Sequence, residues 1–238
     1  MTFLRSPSLR ACAIVLSSSA LVLGVPLAAQ AAVKNPTTKT VLAAAKAALA
    51  NESGVHVKVT TISGKVDSSV VADIGKTSGS ETYVSGDETF TITVTPTYAY
   101  LSGSKSGLTT LMGLTAAEQS KVGTDSISMK KGSTPYSTFQ TNLTSGAFSG
   151  LLPPAKGTTL LAKRDSATNG YQLSWTEAAT TSTPKSTSIM TISSGTKALP
   201  LKESVKTSSS KSKTTFSKWG EDVKVEVPTS TIAYSKIF

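Results

Sequence analysis

The chain is poor in the side chains that carry out most enzyme chemistry. Among its 238 residues there is one cysteine, Cys12, and one histidine, His56. One cysteine and one histidine are too few to form the Cys and His clusters that hold zinc. No serine lies in a nucleophile-elbow sequence, and no glycine-rich phosphate loop occurs. We therefore expect no catalytic residues, no cofactor and no metal, and a protein that is not an enzyme.

Arginine is also scarce, which bears on charged partners. Arg164 is the only arginine outside the first ten residues, so the formal charge of +10 rests almost wholly on lysines spread along the chain. Proteins that bind nucleic acid concentrate Lys and Arg on one face and often add stacking aromatics. The even spread predicts solvated lysines and no nucleic-acid partner, with a transient contact to an anionic membrane surface as the remaining charged interaction.

The start of the chain is organised as an export signal. Arg5 and Arg10 precede an apolar run over residues 11–27, and residues 29–31 (Ala-Gln-Ala) supply a small-residue cleavage pattern. A membrane anchor helix is the alternative, but the run is slightly shorter than the ~20 residues that span a bilayer. We predict a cleaved signal peptide over residues 1–31 and a single domain over residues 32–238.

Cys12 lies at the start of the apolar run, not after it, and would leave with the signal. The mature chain then has no thiol for a disulfide or for the lipid anchor of a bacterial lipoprotein. We predict a secreted or envelope protein that does not span the membrane and that is stabilised by its core alone. Nothing in the sequence says whether another lipid anchor replaces the missing cysteine.

Short runs with a two-residue period dominate the mature chain. Serine and threonine make up just under a third of the sequence, and they favour turns and strands. After an Ala-rich helix over residues 39–50, alternation predicts strands over residues 55–60, 66–74, 79–85, 89–95 and 98–100, and later over 158–163, 171–175, 187–192, 199–205, 214–217 and 223–227. Short links with Gly, Asp or Pro favour antiparallel pairing of about ten or eleven strands.

The alternation breaks between residues 105 and 154. Leu108, Leu111 and Met112 are spaced as on one helix face, and Thr115 with Glu118 forms a capping-box sequence. A second helical region is predicted over residues 138–152, ending before Pro153-Pro154. This insert is the predicted cover of the apolar face of the sheet.

The last 25 residues contain the sharpest local phrase, TTFSKWGEDVKVEVP, over residues 214–228. Val223, Val225 and Val227 alternate with charged residues, which predicts a closing strand that stops at Pro228. With the turn and Leu-Pro-Leu of residues 194–201, this phrase resembles the LppX/LprG family of actinobacterial lipoproteins, which is similar to the lipoprotein carriers LolA and LolB. Most members keep the lipobox cysteine that this chain lacks, which suggests a soluble form.

The resemblance implies an α+β fold, in which a strongly curved antiparallel half-barrel has short helices on its concave face. It also implies an apolar cavity between them that takes up acyl chains, since burial yields ~0.8 kcal/mol per methylene. The predicted lining from the strands is Phe90, Ile92, Val94, Tyr98, Tyr100, Tyr171, Leu173 and Trp175. From the helices it is Leu108, Leu111, Met112, Phe139, Leu143, Phe148, Leu151 and Leu152.

Two functions follow, and both are non-enzymatic. The first is a monomeric exported carrier whose partner is a lipid or other apolar small molecule. The alternative is an envelope or secreted protein with a structural or interaction role, in which the same residues form an ordinary packed core. The identity of a ligand, the direction of transfer and any protein partner lie beyond what these residues indicate.

Overall fold

The computed structural model describes residues 36–64, 66–165, 169–181 and 183–238. The predicted signal peptide and its cleavage site lie outside the described residues. The helices are α1 (Thr38–Leu49), α2 (Lys105–Met112), α3 (Ala116–Val122) and α4 (Thr134–Leu143), with 3-10 helices at Ser145–Leu151 and Tyr234–Lys236.

The strands form one open sheet of twelve strands in the order β12-β6-β5-β4-β3-β2-β1-β11-β10-β9-β8-β7. Their bounds are β1 (Gly54–Ser63), β2 (Val66–Gly75), β3 (Gly79–Ser85), β4 (Glu88–Val94), β5 (Tyr98–Gly103), β6 (Ser126–Lys130), β7 (Thr159–Asp165), β8 (Gly170–Glu177), β9 (Ser186–Ser193), β10 (Pro200–Lys206), β11 (Ser210–Ser217) and β12 (Thr231–Ala233). The predicted α+β class and the single sheet are confirmed.

Two antiparallel meanders, β1 to β6 and β7 to β11, meet where β1 pairs with β11. Every adjacent pair is antiparallel except β12 with β6, which is parallel. The sequence did not predict β12, because three residues are too few to show a two-residue period. The strand count therefore exceeds the predicted ten or eleven.

Side-chain caps start the helices of the insert. The hydroxyl of Ser104 accepts a hydrogen bond from the Gly107 N–H at the start of α2. At α3 the predicted capping box is present, since the Thr115 N–H donates to Glu118 over 2.7 Å and the Glu118 N–H donates to the Thr115 hydroxyl. Ser133 caps α4, and a proline in its first turn costs no hydrogen bond.

One face of the sheet, here called the covered face, packs against these helices. Helix α4 contacts β2 to β6, and α2 contacts β4 and β5. The 3-10 helix at Ser145–Leu151 contacts α1, α4 and β2. The predicted cover is thus confirmed, although the second helical region is divided into α4 and a 3-10 helix. The opposite face of the sheet, the open face, carries most of the exposed strand residues.

The predicted closing strand at residues 223–227 is wrong. These residues form no regular element and pair with no strand, and the sheet's strand at this point is β11, which ends at Ser217. The reason is that β1, the strand beside these residues, already pairs with β2 and β11 and so offers them no free edge. Backbone φ angles of 54° at Lys218 and 84° at Gly220 turn the chain away, and Val223 packs beside Gly54 at the end of β1.

Candidate ligand-binding face

Strand register aligns the side chains of the covered face in rows that cross the sheet. The row here called the apolar row contains Tyr171, Ile192 and Pro200 up to a register shift in β10, and beyond it Phe216, Val57, Ala72, Glu81, Ile92, Leu101 and Ile127. All of these residues are buried except Glu81, which is half-buried. The row is therefore a nearly continuous hydrocarbon surface interrupted by one carboxyl group.

The next row toward the β1–β2 and β10–β11 turns is mixed in character. It contains Leu173, Met190, Glu203, Thr214, Val59, Val70, Tyr83 and Phe90. The residues at its two ends are buried, whereas Glu203, Thr214 and Val59 in the middle keep accessible surface. The covered face is thus less completely covered over β1, β11 and β10 than over its flanks.

A third row, here called the polar row, is rich in hydroxyl groups. It contains Trp175, Ser188, Val205, Ser212, Thr61 and Ser68. Thr61 Oγ1 and Ser212 Oγ lie 2.6 Å apart in a hydrogen bond across β1 and β11. The covered face therefore changes from apolar to polar over three rows, as a surface that receives an amphiphile would.

Two carboxyl groups point into this face. Glu81 lies between Ala72 and Ile92 on the neighbouring strands, and it has no hydrogen-bond or ion-pair partner among the described residues. Burial raises its pKa to about 7. Burial also raises the pKa of Glu203 to about 7, and the nearby charge of Glu177 adds to the effect. Each side chain lies among protein atoms yet keeps some accessible surface.

The indole of Trp175 adds an unused hydrogen-bond donor to the same face. Trp175 is 7% exposed, and its Nε1–H is buried without an acceptor in the described part of the chain. A buried donor of this kind costs about 1–3 kcal/mol when it has no partner. An acceptor on a bound molecule, or a water, would remove that cost.

The cover touches the backbone of the sheet directly over β3 and β4. A Cβ added to Gly79 on β3 would collide with the backbone carbonyl of Leu143 at the end of α4. A Cβ added to Gly107 in α2 would collide with the carbonyl of Thr89 on β4. Gly79 and Thr89 lie near opposite ends of the β3–β4 pair, since Gly79 pairs with Val94 and Thr89 pairs with Val84. Glycine thus lets the cover approach the backbone of this pair at both ends.

Aromatic rings close the space between the cover and β11. Trp219 lies 6.0 Å from Phe148 in an edge-on arrangement and 6.2 Å from Phe216 in a stacked one, measured between ring centroids. Its Nε1–H donates to the Pro200 carbonyl over 2.9 Å. Trp219 is thus a bridge between the cover and β10–β11.

Most of the predicted lining residues come together. Phe90, Ile92, Val94, Tyr171, Leu173 and Trp175 lie buried on the covered face, and Leu108, Leu143, Phe148 and Leu151 are buried in the cover. Leu111, Met112, Phe139 and Leu152 are half-buried and pack against the same core. Whether any of them contacts a ligand stays a prediction.

Tyr98 and Tyr100 are the exceptions, and their predicted placement is wrong. Register pairs Ala99 with Val94 and Leu101 with Ile92, which puts Ala99 and Leu101 on the covered face. The two tyrosines therefore lie on the open face, where their rings stack 6.0 Å apart. Ring size suggested burial, but the small Ala99 is the residue that faces the cover, and it is fully buried.

The sequence reasoning missed Glu81 and Glu203. Each lies two residues before a residue of the covered face: Glu81 precedes Tyr83, and Glu203 precedes Val205. Because residues two apart on a strand share a face, a two-residue period would have placed both carboxyl groups on the covered face. A carboxyl at such a position was the available signal.

His56 is not freely solvated, since its Nδ1 lies 2.8 Å from Asp73 Oδ1. Register places Ser217 on the other side of His56, so Asp, His and Ser form one row on the open face. No hydrogen bond joins His56 to Ser217 in the described residues, and a nucleophile needs that contact with its base. The row lacks the geometry of a catalytic triad.

Within the described ranges, no group of three or more His, Cys, Asp or Glu residues is placed to hold a metal ion. None of the helices described there combines the length and apolarity needed to cross a bilayer.

The comparisons with known proteins are structural only. No family model matches the chain, and no curated protein matches it. Among solved structures, LprF from Mycobacterium bovis shares 15% identity at a TM-score of 0.47, with 80% of this chain and 96% of that chain aligned. The lipoprotein LppX from Mycobacterium tuberculosis shares 16% identity at a TM-score of 0.48, over 79% of this chain and 99% of that one. A DUF1329 family protein from Desulfovibrio piger shares 8% at a TM-score of 0.34, over 79% and 95%. LppX is a namesake of the family that the closing phrase of the sequence resembles.

Proposed function

We propose that this protein is an exported, non-enzymatic binding protein that holds an amphiphile with an acyl chain between the covered face and the helices. In this proposal the sheet acts as a half-barrel, the apolar row contacts the hydrocarbon chain, and the polar row lies at the entrance. The protein acts as a monomer outside the cytoplasm, consistent with the signal-like start of the sequence.

The observation that carries the proposal is Glu81. A carboxyl group inside a hydrocarbon row is costly, and a chain whose only task is a packed core has no use for it. Glu81 has no partner among the described residues and keeps some accessible surface within a buried row, so its carboxyl would be available to a bound molecule. Glu203 repeats the arrangement one row away.

These carboxyls suit an uncharged polar group in the ligand. With a pKa of about 7, each is protonated in a large fraction of molecules at neutral pH and then donates a hydrogen bond. An ester carbonyl or a sugar hydroxyl accepts such a bond, and Trp175 Nε1 offers another donor. The acyl chain contributes ~0.8 kcal/mol for each methylene that leaves water.

The test combines recovery of endogenous lipid with a matched pair of variants. Natively purified protein is extracted with organic solvent for mass spectrometry, and a fluorescent fatty acid measures uptake. Thr214→Trp fills the middle of the mixed row, whereas Thr215→Trp adds the same ring to the open face of the same strand. We expect the first variant to lose lipid and probe and the second to keep both.

Recovery of no lipid, together with no probe uptake by the unmodified protein, overturns the proposal. If Thr214→Trp does not fold, as judged by circular dichroism, Val205→Trp in the half-buried part of the polar row replaces it. Equal loss in the covered-face and open-face variants also counts against an interior site.

The second candidate is an envelope or secreted protein with a structural or interaction role and a filled core. The direct backbone contacts at Gly79 and Gly107 favour it, because they leave no room between the cover and the sheet at either of these two points. An empty extract with normal folding, and a specific partner recovered by crosslinking in cell-wall fractions, would support this candidate.

A further inference from the structure

The open face of β1, β10 and β11 carries a cluster of lysines, here called the lysine face. Register aligns Lys58 with Thr215 and Lys202, Thr60 with Lys213 and Ser204, and Ile62 with Lys211 and Lys206. All five lysines are exposed. Lysine, which looked evenly spread in the sequence, is thus concentrated by strand pairing.

These charges lack counterions in the described part of the chain. None of the five lysines makes an ion pair, and the acids on the open face of β1 and β2 are Asp67 and Asp73, of which Asp73 pairs with His56. Lys206 and Lys211 lie directly opposite each other on neighbouring strands. Like charges in that position destabilise a sheet, so an anionic partner would relieve a repulsion that the free protein carries.

Aliphatic side chains stand among the lysines. Ile62 is 58% exposed at the end of β1, and Ile189, on β9 beside Ser204, is 38% exposed. Val71 and Val84 are exposed on β2 and β3 of the same face. Exposed aliphatic residues interspersed with lysines are poorly suited to water alone or to a hydrated polymer, but they suit the boundary between headgroups and acyl chains.

A shallow pocket lies at the edge of the lysine face. Its volume is about 340 Å³, and it is lined by Lys185, Thr187, Lys206, Thr207 and Ser208. Two ammonium groups and three hydroxyls, with no acid among the lining residues, form a donor-rich recess. The hydroxyls of Thr187 and Ser208 make no hydrogen bond among the described residues, so both remain available to a phosphate.

We propose that the lysine face docks on the surface of a bilayer rich in anionic phospholipid. The lysines contact phosphates, the pocket receives one headgroup, and Ile62 and Ile189 insert among the headgroups. Charge complementarity selects an anionic surface, and the exposed aliphatic residues select a bilayer over a soluble polyanion. The inference does not depend on a ligand at the covered face.

The experiment is cosedimentation of the protein with vesicles of phosphatidylcholine alone or mixed with phosphatidylglycerol. The test variant combines Lys206→Glu, Lys211→Glu and Lys213→Glu. The control combines Lys76→Glu, Lys105→Glu and Lys131→Glu, which changes the net charge equally at exposed positions away from the lysine face. Each lysine near an anionic surface raises the affinity for that surface about fivefold. Loss of three lysines should therefore lower the affinity of the test variant for phosphatidylglycerol vesicles at least about a hundredfold.

We expect binding that requires phosphatidylglycerol, weakens with added salt and survives in the control. Ile62→Ser with Ile189→Ser should weaken binding to vesicles and leave binding to soluble polyphosphate unchanged. Equal losses in the two triple variants overturn the lysine face as the docking site. Polyphosphate binding as tight as vesicle binding, with no effect of the isoleucine changes, overturns the bilayer as its partner.

Discussion

Replacing Glu81 by glutamine should stabilise the protein at alkaline pH and leave its stability at acidic pH unchanged. The substitution keeps the shape of the side chain and removes its ability to ionise. In the folded protein burial raises the pKa of Glu81 to about 7, whereas the ordinary value is 4.5. The folded state therefore holds its proton more tightly than the unfolded state.

The sign and size of the effect follow from this difference. Below pH 4.5 the carboxyl is neutral in both the folded and the unfolded state. Its burial then carries no penalty for removing a charge from water. As pH rises from 4.5 through 7, the unfolded state ionises first, so the free energy of unfolding falls. Each pKa unit corresponds to about 1.36 kcal/mol, which sets an upper limit of about 3 kcal/mol. Because the side chain keeps accessible surface, we expect about 1–3 kcal/mol.

The assay is urea unfolding of the unmodified protein and of Glu81→Gln at pH 5 and at pH 8. The variant should exceed the unmodified protein by less than about 1 kcal/mol at pH 5, where the unfolded carboxyl has begun to ionise, and by about 1–3 kcal/mol at pH 8. Glu226→Gln, at an exposed carboxylate with no partner among the described residues, is the control and should not change the difference between the two pH values. Equal losses of stability between pH 5 and pH 8 in Glu81→Gln and the unmodified protein would refute the reasoning.

Two further changes probe the cover and a buried ion pair. Gly79→Ala should destabilise by more than about 2 kcal/mol in urea unfolding, since its Cβ meets the backbone of α4, whereas Gly146→Ala has open space and should change stability by less than about 0.5 kcal/mol. Lys197 Nζ lies 2.7 Å from Glu52 Oε1, and the Glu52 side chain is only 1% exposed. Lys197→Met should therefore lower the free energy of unfolding by about 1–3 kcal/mol, because it leaves a buried carboxylate without its partner. Adding Glu52→Gln should recover part of that loss. If the loss of stability in the double variant equals the sum of the losses in Lys197→Met alone and Glu52→Gln alone, the two side chains do not interact directly.

Local pattern was a sound guide wherever the deciding interaction lies within a few residues. The capping box at Thr115 and Glu118 formed as predicted, because both partners belong to one helix turn. The first strands followed their alternation, because Val55 and Val57 are apolar enough to select a buried face without help from a partner. The insert between β5 and β7 became the cover, since its apolar residues could be buried only against the sheet.

Pairing and register were decided by the tertiary structure. The stretch at Val223 alternates as a strand should, yet the neighbouring β1 cannot pair with it, because β2 and β11 already occupy both sides of β1. The face occupied by Tyr98 was settled by the register of β5 against β4 rather than by the size of its ring. Alternation states which residues share a face, but only neighbouring strands determine which face is covered.

The amino-acid sequence alone determined the sheet-rich class, the helix caps, the lack of metal-binding and disulfide cysteines, and the order of strands and insert, because each depends on composition or on short-range periodicity. The tertiary structure decided that Glu81 and Glu203 point into the covered face and that lysines from three strands meet on the open face. These groups come from strands far apart in the chain, and only the hydrogen-bond register between strands brings them together.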